Sequence, residues 1–157
     1  MSINFRFEAL QKTKFQSLFA LDNDELLQHH AKRLTVDSHP GYPCRVSLMD
    51  ARLDEQVIAL SFTHHDVDSP YRASGPIFVR ENAETCTPEV NEIPGMFRIR
   101  PLSVRAYDTH NLMIDAKVVE SDELKLTIES MFQNKAVDYI HLHNGNPGCY
   151  NCAIYRA

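Results

Sequence analysis

LSVRAYDTHNLMIDAKVV, from Leu102 to Val119, is the stretch that decides the fold. Apolar and polar residues alternate on both sides of Thr109, His110 and Asn111, the period-two pattern of two strands that share one buried face. With those three residues as the loop, Ala106 opposes Ile114, Val104 opposes Ala116 and Leu102 opposes Val118. The other face then sets Arg105 against Asp115 and Ser103 against Lys117. A two-residue loop would put Val104 opposite Asp115. Because a slip of one residue turns every side chain to the wrong face, the three-residue loop is expected. Asn111 is expected to take the left-handed conformation of such loops.

Outward from the hairpin, Asn4 to Leu10 alternates Phe5, Phe7 and Ala9 with polar neighbours and predicts a first strand. Phe15, Leu18 and Phe19 are spaced for one or two helical turns, and Asp22 or Asn23 can cap a second short helix with Leu26 and Leu27 inward. Residues 34–36 read as a brief strand, His39 to Cys44 as a turn-rich loop, Val57 to Phe62 as a buried strand and Pro76 to Arg80 as another. His64 to Gly75 reads as a long loop between them. Residues 81–92 are polar and expected to be exposed, and Pro94 can open a short helix. Ser121 is expected to cap a helix that carries Asp122 and Glu123 in its first turn and an apolar stripe of Leu124, Ile128, Met131 and Phe132. Residues 136–144 and 149–155 make two closing strands around Gly145-Asn146-Pro147-Gly148.

The chain has 157 residues, 43% hydrophobic and 24% charged, enough for one domain with one sizeable core. No repeat or linker divides it. A net charge of −5 argues against nucleic acid as a partner, which requires a basic face. A local basic pocket stays open, since Arg98, Arg100 and Arg105 lie close together. The longest apolar runs, such as Val57 to Leu60, fall far short of the roughly 20 residues that span a bilayer. Residues 1–10 lack the basic-then-apolar order of a secretory signal, so a cytoplasmic location with Cys44, Cys86, Cys149 and Cys152 reduced is expected.

Four stretches together resemble a bacterial family of uncharacterised proteins, a domain of unknown function. They are Pro40-Gly-Tyr-Pro-Cys-Arg-Val-Ser-Leu48, Ser69-Pro-Tyr-Arg-Ala-Ser-Gly-Pro-Ile-Phe-Val-Arg-Glu81, Leu102-Ser-Val-Arg-Ala-Tyr-Asp108, and His141-Leu-His-Asn144 with Pro147-Gly-Cys149. The resemblance covers essentially the whole chain and implies a full-length member. It carries over no function. Cys152 departs from the family pattern, which includes Cys149 without a second cysteine three residues on.

Four groups of residues carry the chemistry. His141, His143, Cys149 and Cys152 have the residue types of a tetrahedral zinc site. On a strand the two histidines share a face, whereas Cys149 and Cys152 point apart, so no metal is expected there. The segment His64-His65-Asp66-Val67-Asp68-Ser69-Pro70-Tyr71-Arg72 gathers imidazoles and carboxylates that can hold a metal or share a proton, or can simply form a surface turn. Cys149 near His143, or Cys44, offers a nucleophile. Arg45, Arg72, Arg80 and Arg105 can converge on an anion or pair at the surface, Arg105 with Asp115 and Arg80 with Glu81 or a neighbour. No Walker loop, dinucleotide fingerprint, nucleophile elbow or His-Glu-x-x-His is present.

The expected fold is α+β, a mainly antiparallel sheet of five to seven strands with two or three short helices. The leading functional expectation is a small-molecule binding protein or enzyme. Its ligand would sit between the 64–75 loop and the tip of the closing hairpin, against His64, His65, Tyr71, Arg72, His141, His143 and Cys149. The alternatives are a metal-binding protein using the His-x-His pair, and an interaction or structural module without pocket chemistry.

Overall fold

A computed structural model of the protein describes residues 2–157. It is α+β, but its strands form two antiparallel sheets in place of the single sheet expected. In chain order the elements are β1 (Phe5–Glu8), α1 (Asn23–Gln28), β2 (Ala31–Thr35), β3 (Gln56–His65), β4 (Ala73–Arg80), β5 (Leu102–Tyr107), β6 (Met113–Val119), α2 (Leu124–Gln133), β7 (Tyr139–Asn144) and β8 (Tyr150–Arg156). The larger sheet has the order β1-β8-β7-β5-β6 and the smaller β2-β3-β4. Both helices are short, and no helix among the described residues is long and apolar enough to cross a membrane.

Each sheet has its own apolar core. The stripe of α2 packs Leu124, Ile128, Met131 and Phe132 onto one face of the larger sheet, against Val104, Ile140, Leu142 and Ile154. This is the period of 3.6 meeting the period of 2. Ile128 is fully buried, so Ile128→Val should cost about 1 kcal/mol, visible as a lower urea midpoint at unchanged slope. The second core joins Ile58, Leu60, Ile77 and Val79 of the smaller sheet to Phe15 and Leu26. Asp22 caps α1 with a reciprocal bond to Glu25, and only Leu26 turns inward; Leu27 is exposed because so short a helix buries a single ridge. At α2 the expected Ser121 cap is replaced by a 3-10 turn, Ser121–Glu123, entered through a capping box between Glu120 and Glu123.

The central hairpin keeps the expected register only at its mouth. Tyr107 opposes Met113 and Asn111 has φ +63°, while the Asp108 carboxylate accepts from the His110 and Leu112 amides. Beyond the mouth a bulge shifts the pairing by one, so that Ala106 opposes Asp115, Val104 opposes Lys117 and Leu102 opposes Val119. The cause is that β6 is an edge strand exposed on both faces, so no buried face of its own dictates register. Arg105 consequently faces Ala116, and its Nε donates to Ser103 Oγ at 3.1 Å in place of the expected ion pair.

Candidate metal centre

The face of the larger sheet opposite α2 is polar and aromatic. Strand alternation sends Ile140 and Leu142 into the α2 core and leaves Tyr139, His141 and His143 on the other side. Across β5, Ser103, Arg105 and Tyr107 stand opposite His143, His141 and Tyr139. On β8 a register shift between Leu142 and His143 makes Asn151 the extra residue and brings Tyr150 directly opposite His143.

The smaller sheet closes over this face with the end of β3. The segment expected as a loop from His64 is strand through His65, and the loop proper is 66–72. On a regular strand His64 and His65 would point to opposite faces. The pairing of β3 with β4 is irregular between Phe62 and His65, and both rings come to lie against β7. His64 lies 5.2 Å from His143 and His65 lies 4.9 Å from His141, ring centre to ring centre.

His64, His141 and His143 each offer a ring nitrogen within 4.8 Å of the other two. Three buried ring nitrogens, His64 Nδ1, His141 Nδ1 and His143 Nε2, have no hydrogen-bond partner among the described residues. The Gly148 carbonyl lies 2.8 Å from His143 Nδ1, and since a carbonyl only accepts, Nδ1 carries the hydrogen and Nε2 keeps its lone pair. Gly148 presents that carbonyl from φ +100°, a conformation open to glycine. Tyr150 walls the cluster, stacked on His64 with ring centres 5.0 Å apart and planes 8° from parallel.

Burial holds all three imidazoles in the neutral, lone-pair form at pH 7. Desolvation lowers His64 to about 4, with smaller contributions from His65 and Arg105. It lowers His141 to about 3, aided by His65, His143, His64 and Arg105. His143 also falls to about 3, again through desolvation, with the Gly148 hydrogen bond opposing the shift.

The remaining expected site residues take other places. His65 is fully partnered: Nδ1 donates to the Tyr71 carbonyl at 2.7 Å, and Nε2 meets the Tyr139 hydroxyl at 2.5 Å. It fastens β3 to β7 and leaves no lone pair for a ligand. Tyr71 contributes that carbonyl, with its ring 6.1 Å from Tyr107. Arg72 is exposed and paired with Asp66 at 2.8 Å, outside the cluster. Cys152 is buried in the α2 core and Cys149 is half-buried beside the Gly148 turn, both free thiols, so the four-ligand His/Cys set is not assembled. Tyr107, Tyr139 and Tyr150 were not read from the sequence as part of this face. The period-two spacing of Tyr139 with His141 and His143 was the available signal.

Residues 41–156 match the model of a family described as a protein of unknown function, DUF1203. No curated protein and no solved structure matches the chain.

Proposed function

Since the chain belongs to the DUF1203 family, whose description names no activity, we propose from the site itself that the protein binds a divalent transition-metal ion, zinc foremost, through His64, His141 and His143. The observation that carries this reading is the convergence of three neutral imidazoles, each bringing a ring nitrogen within 4.8 Å of the other two and each holding a buried ring nitrogen that lacks a partner. Leaving such groups unpaired in the interior costs about 1–3 kcal/mol each, and a metal is the partner that satisfies all three at once. A tetrahedral zinc holds its nitrogens about 2.1 Å away and so about 3.4 Å from one another. Ligation would draw the three nitrogens together from within 4.8 Å to that spacing.

Three protein ligands leave a fourth position open, the arrangement of catalytic zinc sites. The set contains no carboxylate, and Arg105 lies on the same face, so the open position favours an anionic or hydroxide ligand. This is where the small molecule expected between residues 64–75 and the tip of the closing hairpin would meet the ion.

Cobalt(II) tests the proposal spectroscopically. One ion per chain should produce the strong visible absorption of a four-coordinate site, displaced stoichiometrically by zinc and abolished in His64→Ala. Weak six-coordinate absorption, or uptake indifferent to His64, would sink the reading. The Gly148→Ala variant probes the support of the site. A Cβ there meets no atom within 4 Å, but φ +100° is strained for alanine, so the carbonyl that orients His143 should shift. Zinc affinity is expected to fall about tenfold, measured by competition with a chromophoric chelator.

A further inference from the structure

We propose a second site, for an organic carboxylate, in the cavity of about 760 Å³ that lies beside the Gly148 turn and is lined by Arg45, Arg100, Phe78, Ile99, Val118 and Cys149 among others. Arg45 is 1% exposed; its Nε donates to the Tyr150 carbonyl at 2.7 Å and its Nη1 to the Pro43 carbonyl. Both partners are neutral, so its charge is solvated and not cancelled. Arg100 Nη2 donates to both oxygens of Asp50, at 2.7 and 2.8 Å, while its Nη1 is buried without a partner among the described residues. Asp50 bonds Arg100 alone, so the positive charge of Arg45 is left over beside a mostly apolar cavity.

An uncompensated buried charge is costly, and an anion supplied from solution removes that cost. A planar guanidinium matches a carboxylate, and the walls of Phe78, Ile99 and Val118 accept an apolar body. The ligand class is therefore a monocarboxylate with a hydrocarbon tail or ring, in preference to a bare inorganic anion.

Calorimetry on the full chain, stripped of metal by a chelator, uses hexanoate as probe, with hexanol and inorganic phosphate as comparisons. Hexanoate should bind saturably at one per chain, with hexanol and phosphate at least tenfold weaker. The His64→Ala variant should bind hexanoate as well as the parent, which separates this site from a carboxylate held on the three-histidine metal. Arg100→Gln should abolish binding. If that variant fails to fold, Val118→Asp decides the matter: Val118 is 65% exposed on the rim, and a carboxylate there should weaken hexanoate at least tenfold. Equal binding of hexanol, stronger binding of phosphate, no saturable binding of hexanoate, or indifference to Val118→Asp would overturn the proposal.

Discussion

Loaded with zinc and freed of excess by gel filtration, the protein should retain about one ion per chain, and His64→Ala should retain less than a tenth of that. His64 is the informative position because it is the half-buried member of the three, so its removal spares the fold. Deleting it reduces three protein ligands to two on one strand, and an affinity loss beyond about 100-fold is expected, since even supporting residues around metal ligands are worth 10–100-fold. His141→Ala should lose the ion equally. The double variant Cys149→Ser, Cys152→Ser should retain it, because Cys152 lies in the α2 core and Cys149 beside the turn. Elemental analysis alongside circular dichroism reads both outcomes. Loss of zinc in the cysteine variant with retention in His64→Ala would transfer the site to the thiols.

The metal-free protein should begin to lose stability in acid well above the pH at which ordinary carboxylates titrate. His141 and His143 are held to about 3 in the folded chain, against about 6.5 when unfolded. Between those values the unfolded chain binds protons that the folded chain refuses, so stability is complete above about pH 6.5 and declines as pH falls toward 3. Each of these two groups contributes at most about 1.4 kcal/mol per pH unit, and His64 adds a smaller, solvent-screened amount. A domain at the lower end of the usual range, about 5 kcal/mol, therefore has its acid midpoint near pH 5, and a more stable one has it correspondingly lower. Urea melts between pH 7 and 5 check the slope. His143→Leu should flatten it by close to half, and an unchanged slope would show that these imidazoles protonate without unfolding.

The parts legible in the sequence were those where one periodicity and one buried face act alone. The stripe of α2 is one, the shared face of His141 and His143 another, and the mouth of the central hairpin a third. Bulges hid the rest. The bulge on β6 defeated register pairing from Ala106 onward, because an edge strand exposed on both sides leaves the pattern nothing to obey. The irregularity near His64 aims two consecutive histidines at one face, which alternation forbids. The extra residue at Asn151 sets Tyr150 opposite His143. A one-residue insertion has no signature in polarity, and so His64 was visible as a candidate ligand but not as the one imidazole of its pair that would join His141 and His143. Arg45 was legible as a candidate for an anion site but its burial was not: a buried guanidinium satisfied by carbonyls looks, in sequence, like any surface arginine.

Between the two sheets lies a seam of imidazole and phenol rings where most folds would place aliphatic packing. His64 belongs to one sheet and His141 and His143 to the other, so an ion on all three is a cross-link between units that each own a hydrophobic core. It closes a loop of roughly 80 residues, and by the chain-entropy account used for disulfides such a closure is worth about 4.5 kcal/mol. The seam then behaves as a reversible rivet. Amides of β3 and β7 should exchange with solvent together when it is set and on separate timescales when it is drawn, which makes the lifetime of the folded chain a function of metal supply.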